Sequence, residues 1–200
     1  MARFALTLST VIVVSTFSLS QSGKKMTDYL NIPGPVVFDA ISYNLSWSSH
    51  PSANFYKQEY IPKGESAEKF RTMLLVDVVT GNLNVHDAAG AKVSELKKIK
   101  ETNPLAYYET FDNPKTGEYM IDFLLTANTP DGKVSIAERN IYRYKSITDA
   151  SGRKAILLFG VSTRSYGDGA TGFIGALKTT RKDLVNKVAQ FTLPAIKVIP

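Results

Sequence analysis

The sequence predicts an α+β domain, a mainly antiparallel sheet of about seven strands flanked by two main helices. In its second half, short apolar segments are separated by turns rich in Pro, Asp, Asn and Gly, and such turns join antiparallel neighbours. Two longer segments have apolar residues at helical spacing, with lysines between them. The chain has 200 residues, 44% of them hydrophobic, which suits a single globular domain.

The start of the chain has the three parts of a secretory signal. Arg3 is followed by an apolar run over residues 4–14 and by small residues at 18–20. The run is shorter than the roughly 20 residues that cross a bilayer, and no later segment is long and apolar enough to do so. We therefore expect export to the periplasm or the extracellular space. The predicted divisions are a signal peptide at 1–20, a linker at 21–35, a single α+β domain at 36–191 and a C-terminal tail at 192–200.

The first half of the domain is predicted to contain three strands and one helix. Apolar residues at every second position over 41–47 indicate a half-buried strand, and a second strand is expected over 55–61. The almost continuous apolar run over 73–79, interrupted by Asp77, indicates a strand covered on both faces. A helix over 87–103 follows, which an Asp can cap and a Pro ends.

The second half is predicted to be a meander of four strands followed by a helix. Residues 155–161 form an unbroken apolar run, which predicts the central strand of the sheet. Apolar residues at helical spacing predict the final helix over about residues 170–190. The four strands are expected over 105–111, 119–126, 134–144 and 155–164.

The composition excludes several kinds of chemistry. There is no cysteine, so thiolate metal sites and a cysteine nucleophile are excluded. The two histidines, His50 and His86, lack the neighbouring partners that acid–base catalysis requires. We therefore predict no cofactor, no metal and no catalytic residue.

Gly167-Asp168-Gly169-Ala170-Thr171-Gly172 matches the G-x-G-x-x-G pattern between a predicted strand and a predicted helix. A dinucleotide-binding unit needs a parallel strand after the helix and an acid about twenty residues on, and the sequence indicates neither. We interpret the segment as a connection that begins a helix. A small anion at the helix N-terminus, with Arg164 nearby in sequence, is the alternative.

Three strand carboxylates leave a second function open. Asp77 and Asp122 each interrupt an apolar strand, and Glu138 lies on a neighbouring one. A convergent pair would suit a hydrolase that uses paired carboxylates. The other interpretation is structural, because a buried carboxylate needs a partner. Candidate partners are Arg139, Arg143 and Arg164.

The net charge of +6 indicates attraction to anions. Nucleic acid is not an expected partner, because the aromatic residues lie on strands at core-like spacing rather than within a basic face. Lysines on the helices are interpreted as solvated faces. Anionic polymers or lipid headgroups of the envelope remain candidate ligands.

One residue and three short runs stand out without assigned chemistry. They are Trp47, the run Tyr60-Ile61-Pro62-Lys63-Gly64-Glu65, and Leu157-Leu158-Phe159-Gly160-Val161-Ser162 with Tyr166-Gly167-Asp168. On these segments the chain resembles an uncharacterised family of small exported bacterial proteins. The element order also resembles the PsbP-like fold of photosystem extrinsic proteins, which implies a binding or assembly role rather than an active site.

We expect a non-enzymatic domain that binds an envelope component or a partner protein. The predicted surface consists of Arg164, Tyr166 and Asp168, with Tyr142 as a neighbour. These residues combine charge and aromatic area beside a glycine-rich segment, which suits recognition. The alternative is that they only end a strand and begin a helix.

Overall fold

The computed structural model of the protein describes residues 26–192 and 194–199. Within them the fold is one antiparallel sheet of eight strands with two helices, which confirms the predicted class. The strands are β1 (Val36–Phe38), β2 (Ile41–Ser52), β3 (Phe55–Pro62), β4 (Thr72–Thr80), β5 (Tyr107–Asn113), β6 (Glu118–Asn128), β7 (Val134–Thr148) and β8 (Lys154–Tyr166). The helices are α1 (Val85–Thr102) and α2 (Gly169–Gln190).

The spatial order of the strands is β1-β2-β3-β4-β8-β7-β6-β5. The last four form the predicted meander, and β8 lies between β4 and β7 in the interior of the sheet, as its apolar sequence indicates. The strand missing from the prediction is β1, a three-residue edge strand that is too short to show a period.

The two helices cover opposite faces of the sheet. Alternate side chains of a strand point to opposite faces. On β6, Ile121 and Phe123 pack in the cluster that contains α1 residues, whereas Leu124 packs with the start of α2. The sheet is therefore the middle layer, with an α1 side and an α2 side.

Two short segments near the chain ends complete the core on the α2 side. Leu30 and Ile32, within the predicted linker, and Ile196 and Val198, within the predicted tail, are buried in the main core cluster. They also pair through the backbone, since Lys197 donates to the Leu30 carbonyl at 3.1 Å. The first segment is interrupted by Pro33-Gly34-Pro35 and the second is only a few residues long, so neither shows a period that indicates packing. The predicted signal peptide lies outside the described residues.

The helix boundaries follow from local chemistry. The Asn84 side chain accepts from the backbone N–H of His86 at 2.7 Å, so α1 begins at Val85, two residues before the predicted start. Helix α2 begins at Gly169, one residue before its prediction. Within the described residues, neither helix is long and apolar enough to cross a membrane.

Candidate functional site

Helix α2 is fixed to the sheet at its two ends. Its two buried residues are Ala170 in the first turn and Val188 in the last. At the second end, Arg143 of β7 donates to the carbonyls of Val188 and Phe191 at 3.2 and 2.8 Å. Between these two residues α2 has no fully buried residue and is held by half-buried ones, and a hollow lies beside them.

The hollow consists of two adjoining cavities of about 470 and 650 Å³, which together are called the α2 groove. They share Lys178 and Arg181. The first cavity is lined by Tyr107, Asp122, Leu124, Arg139, Ile174, Leu177, Lys178 and Arg181. The second is lined by Glu109, Phe111, Lys178, Thr179, Arg181, Lys182, Val185 and Asn186. The groove thus separates the middle of α2 from the edge of the sheet formed by β5 and β6.

Local periodicity explains which side chains reach the groove. Ile174, Leu177 and Arg181 are spaced three and four residues apart, so they share one face of α2. On edge strand β5, Tyr107 pairs in register with Leu124 and therefore faces the α2 side, as do the residues two and four positions later. These two periods place an apolar helix face opposite an aromatic strand face.

A buried ion pair forms the floor of the first cavity. The Arg139 guanidinium donates to both oxygens of Asp122 at 3.0 Å, and both side chains are almost fully buried. Arg139 also donates to the backbone carbonyl of Arg181 at 2.6 Å, which ties the helix to the floor. The structural interpretation of Asp122, a buried carboxylate paired with an arginine, is thus confirmed, and its partner is Arg139. The other interrupting carboxylate, Asp77, pairs instead with Lys57 of β3 at 3.1 Å.

Arg181 lies at the junction of the two cavities. Its Nε donates to Asp122 at 2.5 Å, and its guanidinium lies 4.1 Å from the centre of the Tyr107 ring. Its Nη2 is 3.3 Å from Glu109 but makes no aligned hydrogen bond in the part of the chain that the structure describes. Burial lowers the pKa of Arg181, but hydrogen bonds to Asp122 and Tyr107 raise it above its usual value. Arg181 is therefore a cation held in place by Asp122, Tyr107 and Glu109.

The groove carries an excess of positive charge. Its lining includes four cations, Arg139, Lys178, Arg181 and Lys182, and two carboxylates, Asp122 and Glu109, which leaves an excess of two positive charges. Among the described residues, the ion pairs of α2 are made by Arg181, Asp183 and Lys187, and none involves Lys178 or Lys182. Both lysines are exposed. The groove can thus hold an apolar group within and an anion at its mouth.

Two residues of the predicted surface, Arg164 and Tyr166, meet around Phe70. Arg164 forms an ion pair with Glu138 and lies 4.2 Å from the centre of the Phe70 ring. The Tyr166 hydroxyl donates to the Phe70 carbonyl at 2.9 Å and lies 3.2 Å from the Phe70 N–H, which donates to it. Their polar groups thus hold the connection between β3 and β4 against the sheet. Arg164 faces Glu138 rather than the start of α2.

The other two predicted residues lie elsewhere. Asp168 precedes α2, is exposed, and makes no capping hydrogen bond with its side chain. Tyr142 is buried on the α1 side, edge-on to Phe123 at 4.9 Å, and burial raises its pKa well above the usual value. It pairs in register with Gly160, four residues from Arg164 and thus roughly 13 Å along β8. Tyr142 thus lies on the same face of the sheet as Arg164 and is buried rather than exposed.

The three candidate carboxylates do not converge. Asp122 faces α2, whereas Asp77 and Glu138 pair in register with Leu158 and Leu125, which pack on the α1 side. The positions opposite Asp77 and Glu138 on β8 are six residues apart, a separation of roughly 20 Å.

The two histidines and the glycine-rich segment, which the sequence raised as candidate functional residues, make ordinary packing and connecting contacts. The His50 ring stacks on Tyr56 at 4.2 Å, and His86 Nε2 lies 3.8 Å from a carboxylate oxygen of Asp112. The glycine-rich segment joins β8 to α2, and both sheet neighbours of β8 are antiparallel, unlike those of a dinucleotide-binding unit.

Sequence reasoning missed the groove as a site. It interpreted Lys178 and Lys182 as a solvated helix face, and it assigned Tyr107 to the core, although Tyr107 is 44% exposed. One signal was available, because Asp122 interrupts an apolar strand and the β5–β6 turn places the aromatic residues of β5 beside it.

A comparison with protein families finds a family model that matches residues 30–193, most of the chain. A search among curated proteins finds no match.

Proposed function

The chain belongs to an uncharacterised family, and from the α2 groove we propose that it is a non-enzymatic domain that binds a single-chain anionic lipid of the cell envelope. The observation that carries the proposal is a hollow beside a helix that is buried at both ends, with apolar walls and with two lysines at its mouth that make no ion pair among the described residues. A fatty acid and a lysophospholipid share this chemistry, one apolar chain and one anionic head.

The size and lining of the groove support an apolar chain as the buried part of the ligand. Small-molecule sites usually measure about 300–1,000 Å³ and are mostly apolar with a few polar groups, and both cavities fall in this range. Leu124, Ile174 and Leu177 line the first cavity, and Phe111 and Val185 line the second. Each methylene buried against such walls contributes about 0.8 kcal/mol.

The charges at the mouth support an anionic head. Lys178 and Lys182 are one helical turn apart, both line the larger cavity, and both are free of ion pairs among the described residues. Arg181 lies between them in sequence and adds a positive charge, although it is paired with Asp122 and Glu109. A carboxylate or phosphate seated here gains charge-assisted hydrogen bonds.

The positions of the carboxylates support binding rather than hydrolysis. A hydrolase with paired carboxylates needs two of them in one pocket. Asp122 is held by two arginines on the α2 side, and Asp77 and Glu138 lie far apart on the other side. No specific observation favours the hydrolase.

We also propose that the domain acts outside the cytoplasm, because residues 1–20 have the parts of a secretory signal. Mass spectrometry of the protein from its native cell tests this. We expect the mature chain to begin at Gln21, and an intact chain that retains residues 1–20 would contradict export.

Calorimetric titration of chain 21–200 with lysophosphatidylglycerol tests the ligand. We expect saturable binding that weakens as salt is raised, with lysophosphatidylcholine as the zwitterionic comparison. The double variant Lys178→Gln, Lys182→Gln should weaken binding about five- to thirtyfold, from about 0.5–1 kcal/mol for each cation. Lys187→Gln is the matched control, since Lys187 lies on the same helix but pairs with Asp39 and Asp183. Equal affinity for the two lipids, or equal loss in the control, would contradict the proposal.

A further inference from the structure

A second, much smaller cavity lies on the opposite side of the sheet, between α1 and strands β3, β4, β7 and β8. Its volume is about 30 Å³. Its apolar lining consists of Phe55, Val79, Ala88, Ala91, Ile156 and Leu158. The two remaining lining residues, Asp77 and Tyr144, are polar. The cavity belongs to neither the α2 groove nor the Arg164 surface.

Both polar residues present an atom that lacks a partner. Asp77 Oδ1 and Tyr144 Oη are buried and make no hydrogen bond within the described residues. The Asp77 side chain is 8% exposed and Tyr144 is 2% exposed. Natural proteins leave few such groups unsatisfied, because a buried polar atom without a partner loses the hydrogen bonds that it makes to water when the chain is unfolded.

The sheet register places Asp77 and Tyr144 on opposite sides of one residue. Asp77 pairs with Leu158 across β4 and β8, and Leu158 pairs with Tyr144 across β8 and β7. Asp77 and Tyr144 are therefore two strand spacings apart on one face, roughly 10 Å between backbones. Both residues line the cavity, so a small group inside it can contact both.

The size of the cavity and the charges around it limit which molecule can occupy it. One water needs about 10–15 Å³ of such space, so the cavity of about 30 Å³ admits a few waters at most. Lys57 already lies 3.1 Å from Asp77, and Lys92 adds a second nearby positive charge, which disfavours a further cation. The carboxylate itself disfavours an anion. A neutral molecule that donates a hydrogen bond to a carboxylate and accepts one from a phenol can pair with both Asp77 Oδ1 and Tyr144 Oη.

We propose that this cavity is a binding site for one buried water, which accepts from Tyr144 Oη and donates to Asp77 Oδ1, and so links β7 to β4 beside α1. The water has the two polar partners that a buried water needs at minimum. Burial raises the pKa of Asp77 while Lys57 opposes this shift, and a hydrogen bond from the water supports the ionised form alongside Lys57.

The sign of the stability change in Tyr144→Phe tests the site. If the water bridges the two residues, removal of the hydroxyl lowers the unfolding midpoint by several degrees, because the water loses a partner. If the hydroxyl is unsatisfied, its removal leaves the midpoint unchanged or raises it. Tyr119→Phe is the matched control, since Tyr119 is the register partner of Tyr144 on β6 and is half-buried. We expect little change in that control.

A double-mutant cycle and a crystal structure complete the test. When Asp77→Ala, which removes the acceptor, is combined with Tyr144→Phe, the midpoint shift should differ from the sum of the single shifts, because both act through one water. Ordered solvent within hydrogen-bond distance of both residues would show the water directly. Additive shifts, a Tyr144→Phe variant at least as stable as the parent, or a cavity without solvent density in the crystal would each overturn the proposal.

Discussion

Removal of Asp122 should destabilise the fold strongly, because it leaves Arg139 as a buried charge without its partner. Arg139 is 3% exposed and donates twice to Asp122, and Arg181 donates to the same carboxylate. Breaking one side of a buried pair costs about 3–5 kcal/mol. In a chain of this size each kcal/mol lowers the unfolding temperature by about 2–4 °C, so we expect a loss of about 6–20 °C for Asp122→Ala.

Urea denaturation followed by circular dichroism, together with calorimetry, measures this loss. The control is Lys187→Gln, which removes exposed ion pairs and should cost less than about 1 kcal/mol. The double variant Asp122→Leu, Arg139→Met removes both charges and should recover at least half of the loss. A single variant that costs less than about 1 kcal/mol, or a double variant that is no more stable than the single one, would refute the reasoning.

Three further predictions concern the α1 side of the sheet. Gly160→Ala should cost about 1–3 kcal/mol in urea denaturation, because the new Cβ would lie 3.1 Å from the Tyr142 ring. Tyr166→Phe should cost about 1–3 kcal/mol, since two hydrogen bonds to the Phe70 backbone are lost, and proteolysis after residue 62 should quicken. Burial raises the pKa of Asp77, so the folded chain holds that proton at higher pH than the unfolded chain does. Stability should therefore fall as pH rises through the folded-state pKa, and Asp77→Asn should remove this slope.

Each of these predictions has a contrary outcome. Gly172→Ala is the control for Gly160→Ala, because a Cβ there meets nothing within 4 Å, and it should stabilise α2 by about 0.5–1 kcal/mol. Equal effects at the two glycines would refute the packing argument. Unchanged proteolysis in Tyr166→Phe would show that its hydroxyl does not hold the connection. Parallel stability profiles for the parent and Asp77→Asn across pH would contradict the sign derived for Asp77.

Local signals predicted most of the sheet. The meander was predictable because its turns are encoded in Pro, Asp, Asn and Gly, and because β8 is continuously apolar. The packing of Leu30 and Val198 was not, because it depends on contacts between residues at opposite ends of the chain. Sequence periodicity reports which face of an element is apolar and does not report an isolated side chain that fills a remote gap.

The site was only half predictable for the same reason. The Asp122–Arg139 pair follows from a carboxylate that interrupts an apolar strand beside an arginine-bearing strand. The groove depends on how far the middle of α2 stands from β5, a distance to which the anchors at Ala170 and Val188 contribute. Those anchors are small or ordinary apolar residues, so the sequence does not mark them as determinants of a cavity.

The most direct test of the account is an NMR titration of chain 21–200 with lysophosphatidylglycerol below its micelle concentration. The account predicts saturable shifts in the backbone amides of Tyr107 and Leu124 and in the methyl groups of Ile174 and Leu177, all of which line the first cavity. Residues around Phe70 on the other side of the sheet should not shift. Shifts confined to the Arg164 surface, or no shifts in the groove at saturating lipid, would contradict it.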